Sequence, residues 1–271
     1  MSEWVLLRNE TELEAKAKTL RRKCRGHYYT NYYFLHSTRN DDLRYTEMFY
    51  REDGDNIYAL ERMDEFYQLF YFIGDADYIR LELPPSVERG VLTCEIDEEE
   101  GKEKQGAVLE KLYTEGFSDY KTYHFYDRKS GQDFRRFHLK GFDLTYQASV
   151  EELSAMYDIF DPYSDALPLR KAFPEYLETM SILSCAVDGK YAGSSMGKKD
   201  GWGNGFVFVY DEFPGVGAYL LSEGLERELR EHPNKILRAT IEDQNTSSIR
   251  LHRSLGYERT KQYHKILIRR T

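Results

Sequence analysis

The chain has 271 residues, 41% of them hydrophobic and 31% charged, with a formal net charge of −9 and a pI near 5.4. This is enough apolar material for two cores of ordinary domain size, and the acidic balance repels nucleic-acid phosphates and anionic membrane surfaces. No apolar run reaches the roughly 18 residues of a bilayer span, the first residues lack the apolar stretch of a signal peptide, and Cys24, Cys94 and Cys185 form no C-x-x-C pair. These features predict a cytoplasmic protein without nucleic-acid or membrane partners, disulfides or a metal site.

Residues 10–24 predict an amphipathic helix, with Thr11 at its cap, Leu13, Ala17 and Leu20 on one face, and a basic end at Arg21, Arg22, Lys23 and Arg25. An aromatic stretch from His27 to Leu35 follows. TEMFYRE and DNIYALERM, flanking the turn GDN, and then EFYQLFYFI read as antiparallel hairpins, because Tyr, Phe and Ile runs are punctuated by Asp and Gly. Pro84-Pro85 interrupts the chain before the strand VERGVLTCEID. The charged run DEEEGKEK is a solvated loop, QGAVLEKLYTEGF is a helix stopped by Gly116, and KTYHFYDRK is a strand.

A second cycle starts near residue 142. FDLTYQAS alternates as a strand, and Ser149 with Glu152 forms a capping box that opens the helix VEELSAMYDIFD. A loop DPYSDALP and a short helix from Arg170 to Met180 lead to the hairpin ILSCAVDGKYAGSSMGKK, turned at Asp188-Gly189. The strand GNGFVFVYDEF runs through PGVG into the helix AYLLSEGLERELREH. KILRATIED is a strand, NTSSIRLHRSLGY a helix closed by Gly256, and KQYHKILIR the last strand. A shift of 140 residues places Gly116 on Gly256, Phe117 on Tyr257, Lys121 on Lys261, Tyr123 on Tyr263 and His124 on His264, which points to a duplication. The expected division is residues 1–138 and 139–271.

The stretch VFVYDEFPGVGAYLLSEGL carries the clearest chemistry. A buried strand feeds a glycine-containing turn that opens a helix, and the first backbone N–H groups of such a helix lack internal partners and favour an anion. Gly215 and Gly217 let a ligand approach the backbone without a Cβ in the way. The lysine of a P-loop is missing, and so is G-x-G-x-x-G, so nucleotide motifs do not fit.

Some thirty residues on, KILRATIEDQNTSSIRLHRSLGY gives a strand, Asn245, Ser248 and a Leu-Gly-Tyr helix stop. GVGAYLL, the N-x-x-S pattern and LHRSLGY, in this order and spacing, resemble the GNAT (Gcn5-related) N-acetyltransferase family from residue 142 to the end. For residues 30–130 the resemblance is looser. It rests on the hairpins and the KLYTEGF ending, as of a degenerate GNAT-like repeat. The resemblance implies an α/β (α+β) fold with mixed, mostly antiparallel sheets and flanking helices in two tandem copies. It also implies that acetyl-CoA, the acyl donor, lies between two splayed strands, GFVFVYDEF and KILRATIED.

Its diphosphate would meet N–H groups around Gly215, Val216, Gly217 and Ala218, its thioester the strand at Phe208, Val209 and Tyr210, and its pantetheine arm Asn245 and Ser248. Two positions depart from the family pattern. Glu212 stands where Gln or Arg is usual, and His252 where a tyrosine often serves as general acid. A histidine can act as acid or base near neutrality, and Tyr257 and Tyr210 are alternative acids. A surface histidine and a core tyrosine are the plain structural readings of these positions.

Between FDLTYQAS and ILSCAV, Tyr157, Asp158, Asp161, Tyr163, Asp165 and Glu175 mix carboxylates with phenols. Such a lining suits a cationic small-molecule amine as acceptor, with Asp161 or Glu175 as base. The sequence therefore predicts N-acyl transfer to a small amine or amino acid. The alternative is a GNAT-like protein that binds a ligand or partner without catalysis. An aminoacyl-tRNA-dependent transferase fits poorly with the net charge and the lack of a long basic helix.

Overall fold

The computed structural model describes residues 3–24, 28–32, 47–84, 87, 89–129, 133–134, 136–137, 141–199 and 204–270. The chain forms two compact units, Met1–Thr122 with Leu169–Ala172 and Gln262–Thr271, and Tyr123–Pro168 with Phe173–Lys261. Each is described in turn. The division falls within the strands β7 (Ser118–Arg128) and β13 (Glu258–Arg270), so each unit has its own part of both.

In the first unit, β1 (Val5–Leu6) precedes helix α1 (Glu10–Lys23). The cap is Asn9, not Thr11: the Asn9 side chain accepts from the Thr11 N–H, because the chain is already helical at Glu10. Arg21, Arg22 and Lys23 fill the last turn, where the helix dipole favours cations, and Arg25 lies outside the described residues. Of the aromatic run His27–Leu35 only residues 28–32 are described. They include the short strand β2 (Tyr29–Thr30).

Strands β3 (Met48–Asp53), β4 (Asn56–Arg62) and β5 (Tyr67–Ile73) form an antiparallel meander, its first turn at Gly54-Asp55 with Gly54 at φ 61°. The sheet order is β1-β3-β4-β5-β6-β13, where β6 is Val91–Glu99. It is antiparallel except between β5 and β6, which run parallel and pair only at Tyr67–Leu69 with Leu92–Cys94. Between them lies a single 3-10 turn, Ala76–Tyr78, and no α-helix among the described residues. Strand alternation splits the core. Ile57, Ala59, Phe70 and Phe72 meet Leu13, Ala17 and Leu20 of α1. On the other face, Tyr58, Leu60, Leu69 and Tyr71 meet Val108 and Leu112 of α2 (Gly106–Thr114). Burying each large apolar side chain contributes about 1.5–3 kcal/mol.

In the second unit, strands β8 (Phe142–Asp143), β9 (Met180–Val187), β10 (Lys190–Lys198) and β11 (Asn204–Val209) form an antiparallel sheet of order β11-β10-β9-β8. The β9–β10 turn falls at Asp188 (φ 50°) and Gly189 (φ 74°), as Asp-Gly predicts. β12 (Leu237–Glu242) pairs antiparallel with residues 123–128 of β7, so β11 and β12 belong to different sheets. The capping box is present: Glu152 N–H donates to Ser149 Oγ at 3.2 Å, and Ser149 N–H to Glu152 Oε2 at 2.8 Å.

The helix that follows is not continuous. It divides into α3 (Val150–Leu153) and α4 (Met156–Ile159), with three-residue hydrogen bonds at Ala155 and Tyr157 tightening the junction. The tighter winding turns Leu153 and Met156 into one core with Phe173, Met196 and Phe208. Helix α5 (Phe173–Thr179) precedes β9, α6 (Val216–Glu231) links β11 to β12, and α7 (Thr246–Ser254) follows β12. Two faces of α6 enter two core clusters. Leu220 joins Cys185, Ala192 and Val216, whereas Leu221 and Leu225 join Leu237, Ala239 and Ile241 of β12.

The stops of α2 and α7 share their hydrogen bonds. Phe117 N–H reaches Leu112 O and Gly116 N–H reaches Tyr113 O, while Tyr257 N–H reaches His252 O and Gly256 N–H reaches Arg253 O, all at 3.0–3.1 Å. Gly116 and Gly256 both take φ near 90°, the left-handed stop that glycine adopts without strain. Among the described residues no helix is long and apolar enough to cross a membrane.

Candidate functional site

The second unit places its candidate residues around the β11–α6 junction. Gly215 caps α6 in the left-handed conformation at φ 89°, and no side chain caps the helix. The first four-residue hydrogen bond runs from Tyr219 N–H to Gly215 O at 3.1 Å, and Val216 N–H turns back to Phe213 O at 3.4 Å. Among the described residues the Gly217 and Ala218 amides thus have no hydrogen-bond partner, at the positive end of a 16-residue helix. Gly217 also sits close to the strand: a Cβ there would lie 3.1 Å from Val209 Cγ2. Glu212, in the preceding turn, is exposed.

On β11 the register separates two amides that the sequence leaves equivalent. Tyr210 N–H donates to Ala192 O at 3.1 Å, so the pair Gly193–Val209 is a non-hydrogen-bonded one. Val209 N–H therefore points away from β10, out of the open edge of the sheet, whereas the Tyr210 amide is committed. Phe208 is buried under the sheet with Phe160 beside it. Gly193 makes this geometry accessible, since a Cβ there would meet Phe208 O at 2.4 Å.

The α7 residues form a linked chain. Asn245 caps the helix by accepting from Ser248 N–H at 3.0 Å, and Asn245 itself is exposed. His252 is buried. Its Nδ1–H donates to Ser248 O at 2.9 Å, with Ser248 Oγ at 3.2 Å, and its ring stands edge-on to Tyr257 at 5.2 Å. Burial lowers the His252 pKa below its usual 6.5, against the pull of the Ser248 carbonyl, so the ring is neutral at pH 7.

Tyr257 is buried in the core, and its pKa is pushed up to about 12 by burial, with Arg128 opposing and Glu228 adding. Tyr210 is 37% exposed and stands edge-on to Tyr191. Among the described residues it has no ring or hydrogen-bond contact with His252 or Tyr257. Asn245, Ser248, His252 and Tyr257 are thus linked by hydrogen bonds and a ring contact.

The depressed His252 pKa has a thermodynamic consequence. A folded value below 6.5 means that the unfolded chain binds the proton more tightly, so this stability is present above pH 6.5 and lost as pH falls through the folded pKa. Wild type should lose melting temperature between pH 7 and pH 5 more steeply than His252→Gln. Parallel pH profiles for the two proteins would contradict the assignment.

The loop from Asp161 to Leu167 is built by its own carboxylates. Asp161 N–H donates to Asp165 Oδ2 at 2.8 Å and Tyr163 N–H to Asp161 Oδ1 at 3.0 Å. Tyr157 OH donates to Pro168 O at 2.8 Å, while Asp158 and Glu175 are exposed. Tyr123 on β7 ties this loop down, its hydroxyl 2.8 Å from Asp165 Oδ1 and 2.9 Å from Ser164 Oγ. Burial raises its pKa well above the usual phenol value. Next to it His124 Nε2 lies 2.9 Å from both Asp243 Oδ1 and Arg259 Nη2. Sequence reasoning took Tyr123 and His124 as marks of a duplication and not as site residues. Their alternation in KTYHFYD showed a strand, but partners 41 to 135 positions away leave no periodic signal.

The edge strand β11 thus turns through a left-handed glycine into a helix that no side chain caps, with β12 held in another sheet. No family model and no curated protein matches the sequence. Solved structures match in fold. A Drosophila protein from a structural genomics consortium has 13% identity and a TM-score of 0.61, over 100% of this chain and 99% of its own. A GCN5-related N-acetyltransferase from Sphaerobacter thermophilus has 14% identity and a TM-score of 0.54, over 83% and 80%. One from Kribbella flavida has 16% and 0.54, over 87% and 94%. The chain thus has the fold of GNAT acetyltransferases, with the mixed, mostly antiparallel sheets and flanking helices that the resemblance implied.

Proposed function

We propose that the second unit transfers an acyl group from acetyl-CoA, or another acyl-CoA, to the amine of a small molecule. The observation that carries this reading is the pair of amides at Gly217 and Ala218, without a hydrogen-bond partner among the described residues, together with the outward Val209 N–H on the preceding strand. The first two suit a diphosphate. The third suits the oxygen that becomes negative when an amine attacks a thioester carbonyl. In that step the nitrogen–carbon bond forms, the carbon–sulfur bond breaks, the amine loses a proton and the thiolate gains one.

Asn245 and Ser248 flank the path of the pantetheine arm. Neutral His252 is a candidate to move the proton, with Tyr257 and Tyr210 as alternatives. Exposure favours Tyr210 over Tyr257, which lies in the core. Asp161 or Glu175 is the candidate base, and the carboxylates and phenols of the 157–175 segment suit a cationic acceptor. The protein is read as cytoplasmic.

Ligand binding without chemistry is the second reading, favoured by the burial of both His252 and Tyr257. A thermal melt with and without acetyl-CoA, followed by thiol release against a panel of amines, separates the two. Saturating acetyl-CoA at about 100 Kd should add about 2.7 kcal/mol of stability, read as a rise of several degrees. No rise with millimolar acetyl-CoA or CoA would sink the donor reading. A rise without thiol release from any amine would leave the binding module.

A further inference from the structure

In the first unit, β5 and β6 part after Leu69 and Cys94, and the divergence leaves backbone groups of β5 facing a gap. Residues 69, 71 and 73 all point away from β4, as the bond from Tyr71 N–H to a group on the far side shows. Their partners follow one another along the strand. β6 pairs with it up to Leu69, and β2 pairs with it at Phe72 and Ile73.

Between the two sits the side chain of Asn31, which is 8% exposed. Asn31 Nδ2 donates to Leu69 O on β5 at 3.0 Å and to Glu95 O on β6 at 3.0 Å, with Cys94 Sγ at 3.5 Å. Asn31 Oδ1 accepts from Tyr71 N–H at 2.8 Å. A single amide thus uses both N–H donors and its carbonyl to close the gap. Gln would carry its amide one methylene further out, and Asp would set an oxygen against two carbonyls.

We propose that the gap between β5 and β6 is an amide-binding site whose resident ligand is the side chain of Asn31. It recognises a primary amide, or an extended chain bearing amides, through two acceptors and one donor. The chain's own residue holds it closed to any such ligand from solution. If the second unit binds an acyl donor as proposed above, an inference that rests on that reading, the amide-bearing arm of the donor finds this seat in the first unit already taken.

The test uses the full chain and needs no acyl-CoA. Asn31→Gly removes the internal ligand and takes its bonds from the Leu69 and Glu95 carbonyls and the Tyr71 N–H, so its melting temperature should fall by about 5 °C or more. Acetamide, the missing group itself, should then raise the variant's melting temperature while leaving wild type level or lower. Acetate, of the same shape but without the N–H donors, should give no rise.

Acetamide that fails to stabilise either Asn31→Gly or Asn31→Ala, or that stabilises wild type equally, overturns the proposal. Hydrogen exchange on the native protein tests it without any variant. The Tyr71 amide should exchange at least about a hundredfold more slowly than a solvent-exposed one, and fast exchange there would also overturn it.

Discussion

Replacing Gly193 with valine should lower the melting temperature by about 10 °C, the largest effect we expect from any single substitution in the second unit. The contact is with backbone: a Cβ at Gly193 would lie 2.4 Å from Phe208 O and 2.8 Å from Val209 Cα. A flexible side chain could swing aside, but these atoms move only if β10 and β11 separate. Separation would break the Tyr210 N–H bond to Ala192 O and strip the cover from Phe208. Gly193 also has φ 154°, at the point where the β9–β10 register shifts. Gly189→Ala, at a turn with open space around the Cβ, is the control for a glycine that needs only its conformation. A Gly193→Val protein that melts within a degree of wild type would show that the strand spacing is looser than described.

Ala218→Asp should abolish donor binding while leaving the fold intact. Ala218 is the third residue of α6, where a carboxylate is favourable to the helix, so the variant should melt at or above wild type. The same carboxylate would occupy the seat of the diphosphate and repel it. We expect at least a hundredfold loss in acetyl-CoA affinity, about 2.7 kcal/mol, by titration calorimetry. Glu212→Gln should act in the opposite direction by removing an exposed negative charge from the turn before the helix. Unchanged affinity in Ala218→Asp would place the donor elsewhere and remove the main support for the proposed chemistry.

Much of the architecture was legible because it is local. The capping box at Ser149 and Glu152, the Asp188-Gly189 turn, the glycine stops at Gly116 and Gly256 and the strand–glycine–helix junction each lie within a few residues. In each case the chemistry of the turn or cap determines the geometry. Other features depend on remote partners. Asn9 and Thr11 both make good caps, and the helix starts early enough for Glu10 to be buried, with Tyr32 OH donating to it at 2.6 Å. The junction at Ser154 and Ala155 reads as helix by propensity, and the core, which needs Leu153 and Met156 together, divides it.

His252 has the spacing of a surface position on α7, yet it is turned inward against Tyr257. The choice between the Val209 and Tyr210 amides depends on strand register, which alternation alone leaves open. Asn31 carried no signal in a run of tyrosines, since its partners are 38, 40 and 64 residues away.

Those separations also bear on the order of assembly. The β3–β4–β5 meander closes loops of a few residues and can form early, whereas β6 must first align with β5 before Asn31 has two strands to join. We expect an amide that enters so late to be among the contacts absent from the folding transition state, so Asn31→Ala should speed unfolding and leave the folding rate unchanged. The amide's strength then governs how fast the native unit comes apart more than how fast it forms. A single internal side chain would in this way set the lifetime of the first unit, as a latch does for a door that swings shut unaided.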